Sequence, residues 1–302
     1  MSLAIRYFEF GDPSVLQLVE VDEPTAGEGQ VRVAVAAAGL NPYDYKARRG
    51  EAGDRTFPSG QGAEFAGVVD QVGEGVTDVQ LGDEVLGWTF FAAQAEYVVV
   101  AANRVAPKPP TLTWEAASSI GLVGNTARRS VDALNLRPDD TVLISAASGG
   151  VGIIACQLAV RAGATVVGTA SATHHAFLRS IGVIPVAYGE GEEDRLRAAA
   201  PQGFTAMADN QGRHSVELGL SLGIQPDRIN SIVDYDGAET FGISTIGGGG
   251  KTAAELAQLA TELADGSLRL PIRASYPMDQ VQDAYRELET GHGLGKVVLT
   301  IP

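Results

Sequence analysis

The chain has 302 residues, 45% of them hydrophobic and 20% charged, and its 22 Lys+Arg against 37 Asp+Glu give a formal net charge of −15. That is too apolar for disorder, and the length suits two ordinary domains. So acidic a balance argues against docking on nucleic-acid phosphates or anionic lipid, both of which need a basic face. A single cysteine excludes a disulfide framework and a cysteine-cluster metal site within the chain. Cys156 lies in the apolar stretch 151–160 and reads as a small buried hydrophobe. No apolar run reaches the length of a membrane span, and residues 1–10 carry Arg6 and Glu9 without an apolar core or cleavage signal. A soluble cytoplasmic protein is therefore expected. The 37 glycines make up about 12% of the chain where about 7% is usual. They imply many tight turns, a backbone packed closely around something, or both.

Residues 1–110 read as β-rich. Strands are expected at 16–21, 31–37, 66–72, 84–88 and 96–100, punctuated by prolines and glycines such as Pro13, Pro24, Gly73 and Gly82. This spacing suits a small antiparallel barrel or sandwich more than a parallel sheet. Pro107, Pro109 and Pro110 mark a change of texture, and Thr113 is placed to N-cap a helix that starts at Trp114. From about 117 to 246, strands at 141–145, 165–169, 184–188, 205–209 and 229–234 alternate with helices at 151–162, 174–181, 192–200 and 215–222. Such alternation, with apolar strands, predicts an α/β domain with a doubly wound parallel sheet. After the glycine linker 247–250 come a helix at 253–265, a strand at 268–272, a helix at 279–289 and a closing strand at 296–301. That last strand is expected to return to the first domain and cover a sheet edge. The domains so drawn are 1–113, 114–246 and 247–302.

The strongest local signal is Ser145-Ala146-Ala147-Ser148-Gly149-Gly150-Val151-Gly152, which follows a predicted strand and opens a predicted helix. That is the context of a dinucleotide-binding fingerprint. Its glycines let the backbone approach a pyrophosphate, and the helix N-terminus supplies N–H groups and a positive dipole end. Ala147 stands where the fingerprint has its first glycine. An NAD site expects a carboxylate about 20 residues on, to hold the ribose hydroxyls. Here the second strand runs into Thr169-Ala170-Ser171-Ala172-Thr173-His174-His175, with no carboxylate before Glu190. Ser171 and His174 thus suit the 2′-phosphate of NADPH better than the bare ribose of NADH. Ligands bind outside the carboxyl ends of parallel strands, which adds Tyr188 and Asn210 to the candidates.

Residues 31–50 (VRVAVAAAGLNPYDYKARRG), residues 60–87 (GQGAEFAGVVDQVGEGVTDVQLGDEVLG), the AASGGVG loop and the closing Gly295-Lys296-Val297-Val298-Leu299 together resemble the medium-chain dehydrogenase/reductase superfamily. Within it they are similar to the zinc-independent quinone oxidoreductase branch. The resemblance implies a GroES-like β-barrel split in sequence around a Rossmann domain, a cleft between the two, and a homodimer formed by extending the Rossmann sheet. It also implies that the Asn-Pro-x-Asp segment lies beside the nicotinamide. Carried over, Asn41, Tyr43, Asp44, Tyr45 and Lys46 are the candidates, with Asn41, Tyr45 and Lys46 as the catalytic set. Many relatives have tyrosine at the position of Lys46, so the proton donor is Tyr45, Lys46 or solvent. The competing reading is a purely structural pair between Asp44 and Lys46. The family's segment at the carboxamide end matches Gly124-Asn125-Thr126-Ala127, with Arg128 replacing a tyrosine. Lys296 reads as structural.

Zinc-dependent members carry a cysteine near the position of Asn41 and a histidine at the position of Ala63, and this chain has neither. Too few soft donors are left for tetrahedral zinc. Without a metal, the acceptor must delocalise the charge that arrives with a hydride, as quinones and α,β-unsaturated carbonyls do. The expectation is an NADPH-dependent, zinc-free reductase of such acceptors. An enoyl-thioester or enone reductase is the nearest alternative; its only hint is Arg48 and Arg49, which read as surface arginines. A non-catalytic NADPH-binding sensor or structural protein is the alternative from another class.

Overall fold

A computed structural model describes residues 1–250 and 252–302 and divides the chain into two units. The first comprises Met1–Leu122, Lys251–Ser267 and Pro271–Pro302; the second comprises Val123–Gly250 and Leu268–Leu270. The first unit opens with β1 (Ser2–Tyr7), β2 (Gln17–Val21), β3 (Gln30–Gly39), α1 (Pro42–Arg48), β4 (Ser59–Gly60) and β5 (Glu64–Val72). It continues with β6 (Glu84–Trp88), β7 (Tyr97–Ala101), β8 (Val105–Pro107) and α2 (Trp114–Ala117). The second unit holds α3 (Val123–Ala133), β9 (Thr141–Ile144), α4 (Gly150–Arg161), β10 (Thr165–Thr169), α5 (His175–Ser180) and β11 (Ile184–Val186). Next come α6 (Glu192–Ala199), β12 (Ala206–Asp209), α7 (Arg213–Ser221), β13 (Ile229–Ser231) and α8 (Gly237–Phe241). The chain ends in the first unit with α9 (Ala253–Ala264), β14 (Ile272–Pro277), α10 (Val281–Glu289) and β15 (Lys296–Thr300).

Strand β3 is the spine of the first unit. Its residues alternate buried and half-buried, as one apolar face requires. It pairs antiparallel with β5, β7 and β15. The full seven-stranded sheet runs β14-β15-β3-β5-β6-β8, with β7 also on β3, and a three-stranded sheet β2-β1-β4 accompanies it. Ile5, Tyr7, Val33, Phe65, Tyr285 and Leu299 meet in one core, so the terminal strand does complete the first unit. The helix expected after Thr113 is present as α2, and the Thr113 hydroxyl accepts the Ala116 N–H at 3.3 Å.

The second unit is a five-stranded sheet in the order β11-β10-β9-β12-β13, with every pair parallel. This is the expected doubly wound arrangement. Strand order reverses between β9 and β12, and in open α/β sheets ligands bind outside the strand ends at that point. Cys156 is fully buried in α4, as expected, and burial pushes its thiol well above the usual range. Among the described residues no helix is long and apolar enough to cross a membrane.

Several local readings change. β1, β4, β8, α1, α3 and α8 are not among the expected elements, and short segments with mixed polarity carry little periodicity. The strand expected at 268–272 begins instead at Ile272. Leu268 and Leu270 are buried two apart, as in a strand, but the Arg269 backbone pairs with a side chain. Its N–H donates to Gln157 Oε1 and its carbonyl accepts from Gln157 Nε2, both at 2.9 Å.

Candidate active site

The Asn41-Pro42-x-Asp44 motif builds the start of α1. Asn41 is in extended backbone at the N-cap and Pro42 is at the first helical position, where a missing N–H costs nothing. The Asp44 carboxylate accepts the Asn41 N–H at 2.8 Å. The Asn41 side chain is directed elsewhere: its Nδ2 donates to Glu64 Oε1 at 3.0 Å and its Oδ1 accepts from Lys296 Nζ at 2.6 Å. Lys296 Nζ also donates to Leu40 O and to Glu64 Oε1, both at 2.7 Å. The other Glu64 oxygen accepts the Leu122 N–H at 2.6 Å. Asn41, Glu64 and Lys296 are all buried, and their charges and amide are satisfied by one another. Sequence reasoning treated Lys296 as structural without finding its partner, since the two residues of the ion pair lie far apart in the chain.

Asn41, expected in the catalytic set, is buried at the foot of α1 with its side chain engaged by Glu64 and Lys296. Asp44 is fully buried and bonds to the Asn41 backbone, so an ion pair with Lys46 is not what holds it. Burial pushes its carboxyl up to about 7, against the opposing pull of the Asn41 N–H and of Lys296. Tyr45 packs against the barrel core with the Arg49 guanidinium over its ring, and burial raises its phenol. Lys46 is half-buried on α1. Arg48 is not a surface arginine: it is fully buried, paired with Glu289 and stacked over Tyr285 at 5.1 Å.

A zinc ion does not fit this corner. Ala63 offers no donor, and the Glu64 carboxylate is already neutralised by the Lys296 ammonium. Among the described residues no group of three His, Cys, Asp or Glu could hold a metal ion.

In the second unit, the loop 145–149 leaves β9 and enters α4 at Gly150. Ala146 takes a left-handed φ of 46°, which turns the chain sharply. A Cβ on Gly152 would lie 2.3 Å from Ala146 O, so only glycine lets the first turn of α4 close against the loop. Ala147, in the place of the first fingerprint glycine, is fully buried; its methyl faces Gly168, where a Cβ would approach to 2.7 Å. The first helical bond of α4 is from Ile153 N to Gly149 O. The N–H groups of Gly150, Val151 and Gly152 precede it and have no intrahelical acceptor. Ser148, Gly149, Gly150 and Val151 are only half-buried.

At the reversal point Ser145, Asp209 and Asn210 form a network. The Ser145 hydroxyl donates to Asp209 at 2.8 Å and accepts the Asn210 N–H at 2.7 Å, and Asn210 Nδ2 donates to Ser145 O at 2.8 Å. Asp209 also accepts from Ser231 and Gly212. The Asn210 Oδ1 is buried without a hydrogen-bond partner, an acceptor beside the phosphate loop that a bound donor would satisfy. The loop and this orphan acceptor fit a dinucleotide. Asp209 is a residue that sequence reasoning listed only as a strand end. Its signal was a carboxylate closing an otherwise apolar strand.

The remaining candidates lie in the same unit. Ser171 and His174 are half-buried at the end of β10, with the Ser171 hydroxyl 3.0 Å from that of Thr173. Tyr188 is exposed in the loop after β11, whose carbonyls at Ala187, Tyr188, Gly189 and Glu190 all accept from Arg195. Thr126 is buried on α3.

An alcohol dehydrogenase GroES-like domain model matches residues 27–110, and a zinc-binding dehydrogenase model matches residues 121–299. The chain is 32% identical over 299 residues to polyketide synthase GfsB of Streptomyces halstedii, covering 91% of this chain but only 5% of that protein. It is 31% identical over 320 residues to 2-methylene-furan-3-one reductase of Solanum lycopersicum, covering 98% of this chain and 78% of the relative. Among solved structures, Escherichia coli quinone oxidoreductase complexed with NADPH superposes with a TM-score of 0.88 at 26% identity, over 99% of each chain.

Proposed function

This chain belongs to the medium-chain dehydrogenase/reductase superfamily, in its quinone oxidoreductase branch, and from that premise we propose that it is a zinc-free, NADPH-dependent reductase of quinones and other α,β-unsaturated carbonyls. The observation that carries this reading is the glycine loop at the sheet's reversal point. There the N–H groups of Gly150, Val151 and Gly152 would hold a pyrophosphate, and Asn210 adds an orphan acceptor at the same strand ends. Ser148, Gly149 and Thr126 complete that set. Ser171 and His174 would hold the 2′-phosphate, and Tyr188 would contact the adenosine.

When bound, the nicotinamide supplies a hydride. The conjugated acceptor takes its electron pair, and the charge moves to the acceptor's oxygen, where one proton completes the reduction. Lys46 is the donor this reading assigns, because Tyr45 is turned to the barrel core. Asn41, Glu64 and Lys296 hold the start of α1 so that Lys46 is presented in a fixed place. The lack of a donor at Ala63 and the pairing of Glu64 with Lys296 support hydride acceptance without a metal.

NADPH oxidation with a naphthoquinone, an enone and a crotonyl thioester, each offered separately, tests the reading. Oxidation by the quinone and the enone is expected. Saturable NADPH binding without turnover of any acceptor would overturn it and leave a binding protein. The similarity to part of a polyketide synthase favours a second reading as an enoyl-thioester reductase, for which the thioester alone would be turned over. Replacing Lys46 by Met should lower kcat by about 100-fold with NADPH affinity unchanged. Ser171→Ala should weaken NADPH binding by roughly fivefold while leaving NADH unaffected; equal changes for both would refute the 2′-phosphate assignment. A homodimer belongs to the same reading and is checked by light scattering.

A further inference from the structure

Three separate segments of the first unit converge on one stack of side chains. Tyr43 stands on α1, Phe91 on the loop after β6, and Arg55 on the loop after α1. The Tyr43 and Phe91 rings lie 5.7 Å apart at 31°, and the Arg55 guanidinium sits 3.9 Å from the Phe91 centroid. Phe90 extends the cluster at 6.3 Å and is 48% exposed. Tyr43 is half-buried, so part of its ring stays open to a ligand.

Phe91 is held in place at a cost. Its φ of 57° lies in the left-handed region, an outlier for a bulky side chain, and such strain gathers at ligand clamps and active sites. The neighbouring chain is shaped to accept it: a Cβ on Gly60 would fall 1.9 Å from Phe91 O. The loop is also tied down by Thr89 N to Ala63 O at 3.0 Å and by Ala92 N to Gly62 O at 3.1 Å. Nothing in the packing of the barrel core requires Phe91, which is only half-buried. With its backbone in this conformation, the Phe91 ring lies against that of Tyr43.

On α1, residues three apart share a face, so Tyr43 and Lys46 are neighbours. A flat ring stacked on Tyr43 would then lie on the face of α1 that carries Lys46. We propose that Tyr43, packed against Phe91 and braced by Arg55, is a specificity-determining residue that selects planar aromatic quinones over open-chain enones, a role that rests on the reductase reading. An aromatic acceptor gains offset stacking on the Tyr43 ring, whereas an open-chain enone presents no extended π face. Arg55, as a cation over Phe91, holds that ring in register with Tyr43.

Binding of 1,4-naphthoquinone, followed by quenching of protein fluorescence, tests this independently of turnover. In Tyr43→Leu and separately in Phe91→Leu the quinone Kd should rise roughly five- to tenfold, while Tyr43→Phe should stay within about twofold of wild type. In Tyr43→Leu the kcat/KM for but-3-en-2-one should fall by less than that for the quinone, so that the quinone-to-enone ratio drops roughly fivefold. Unaltered naphthoquinone binding in both leucine variants would overturn the assignment, as would an equal loss for quinone and enone. If the wild type binds naphthoquinone in this Tyr43-dependent way but does not oxidise NADPH, the stacking role stands and the reductase reading fails.

Discussion

Beneath α1, Lys296, Glu64 and Asn41 are buried and direct their polar atoms at one another, whereas at the start of α4 the first-turn N–H groups have no intrahelical acceptor and the residues around them are half-exposed. Both regions are polar, and each contains a motif visible in the sequence. The difference lies in what is left over. A closed cluster can hold backbone in place but offers a ligand nothing, while an open helix start with an orphan acceptor beside it is stable only because water or a ligand can reach it. A motif in the sequence therefore does not tell whether its side chains act on a substrate or on the fold.

The sharpest way to break this comparison is Lys296→Met. It leaves the Glu64 carboxylate buried without its cation, which should lower unfolding free energy by about 3–5 kcal/mol in urea titration. NADPH affinity of the remaining folded protein should not change; a stability near wild type would mean that the cluster is not closed. Gly152→Ala acts on the other region. The added methyl would meet Ala146 O at 2.3 Å, an overpacking worth about 1–3 kcal/mol, and NADPH binding should weaken by roughly 30-fold. Tight binding in that variant would detach the loop from the cofactor.

The smallest effect concerns Asp44. Burial pushes its folded carboxyl up to about 7 from the ordinary 3.8, so between those values the folded state keeps a proton that the unfolded chain has released. Its contribution to stability is complete at the low end of that window and is lost as pH rises through it. Asp44→Asn keeps an oxygen for the Asn41 N–H and removes the titration. Between pH 5.5 and 8 the wild type should therefore lose about 1–2 kcal/mol more than the variant, read from urea midpoints at the two pH values. Parallel midpoints would place the Asp44 charge elsewhere than in a dry site.

Much of this was legible along the chain. The glycine loop, the absence of a carboxylate after β10, the five parallel strands and the return of the last strand to the first unit all rest on local pattern or on short-range spacing. α1 was not legible, because its seven residues bury Asp44, Ala47 and Arg48 on one face and so lack an apolar stripe. Arg48 looked exposed for the same reason. Its partners Glu289 and Tyr285 come from the far end of the chain.

The sequence by itself determined the fold class and the phosphate loop, since strand–helix alternation and a glycine that must meet a carbonyl are properties of neighbouring residues. Only the tertiary structure decided that Asn41 supports the fold beneath α1, that Glu64 is answered by Lys296, and that Tyr43 meets Phe91. Each of these depends on two or three distant segments being packed into one place, where burial forces every charge to find a partner and a strained backbone can be held against its own preference.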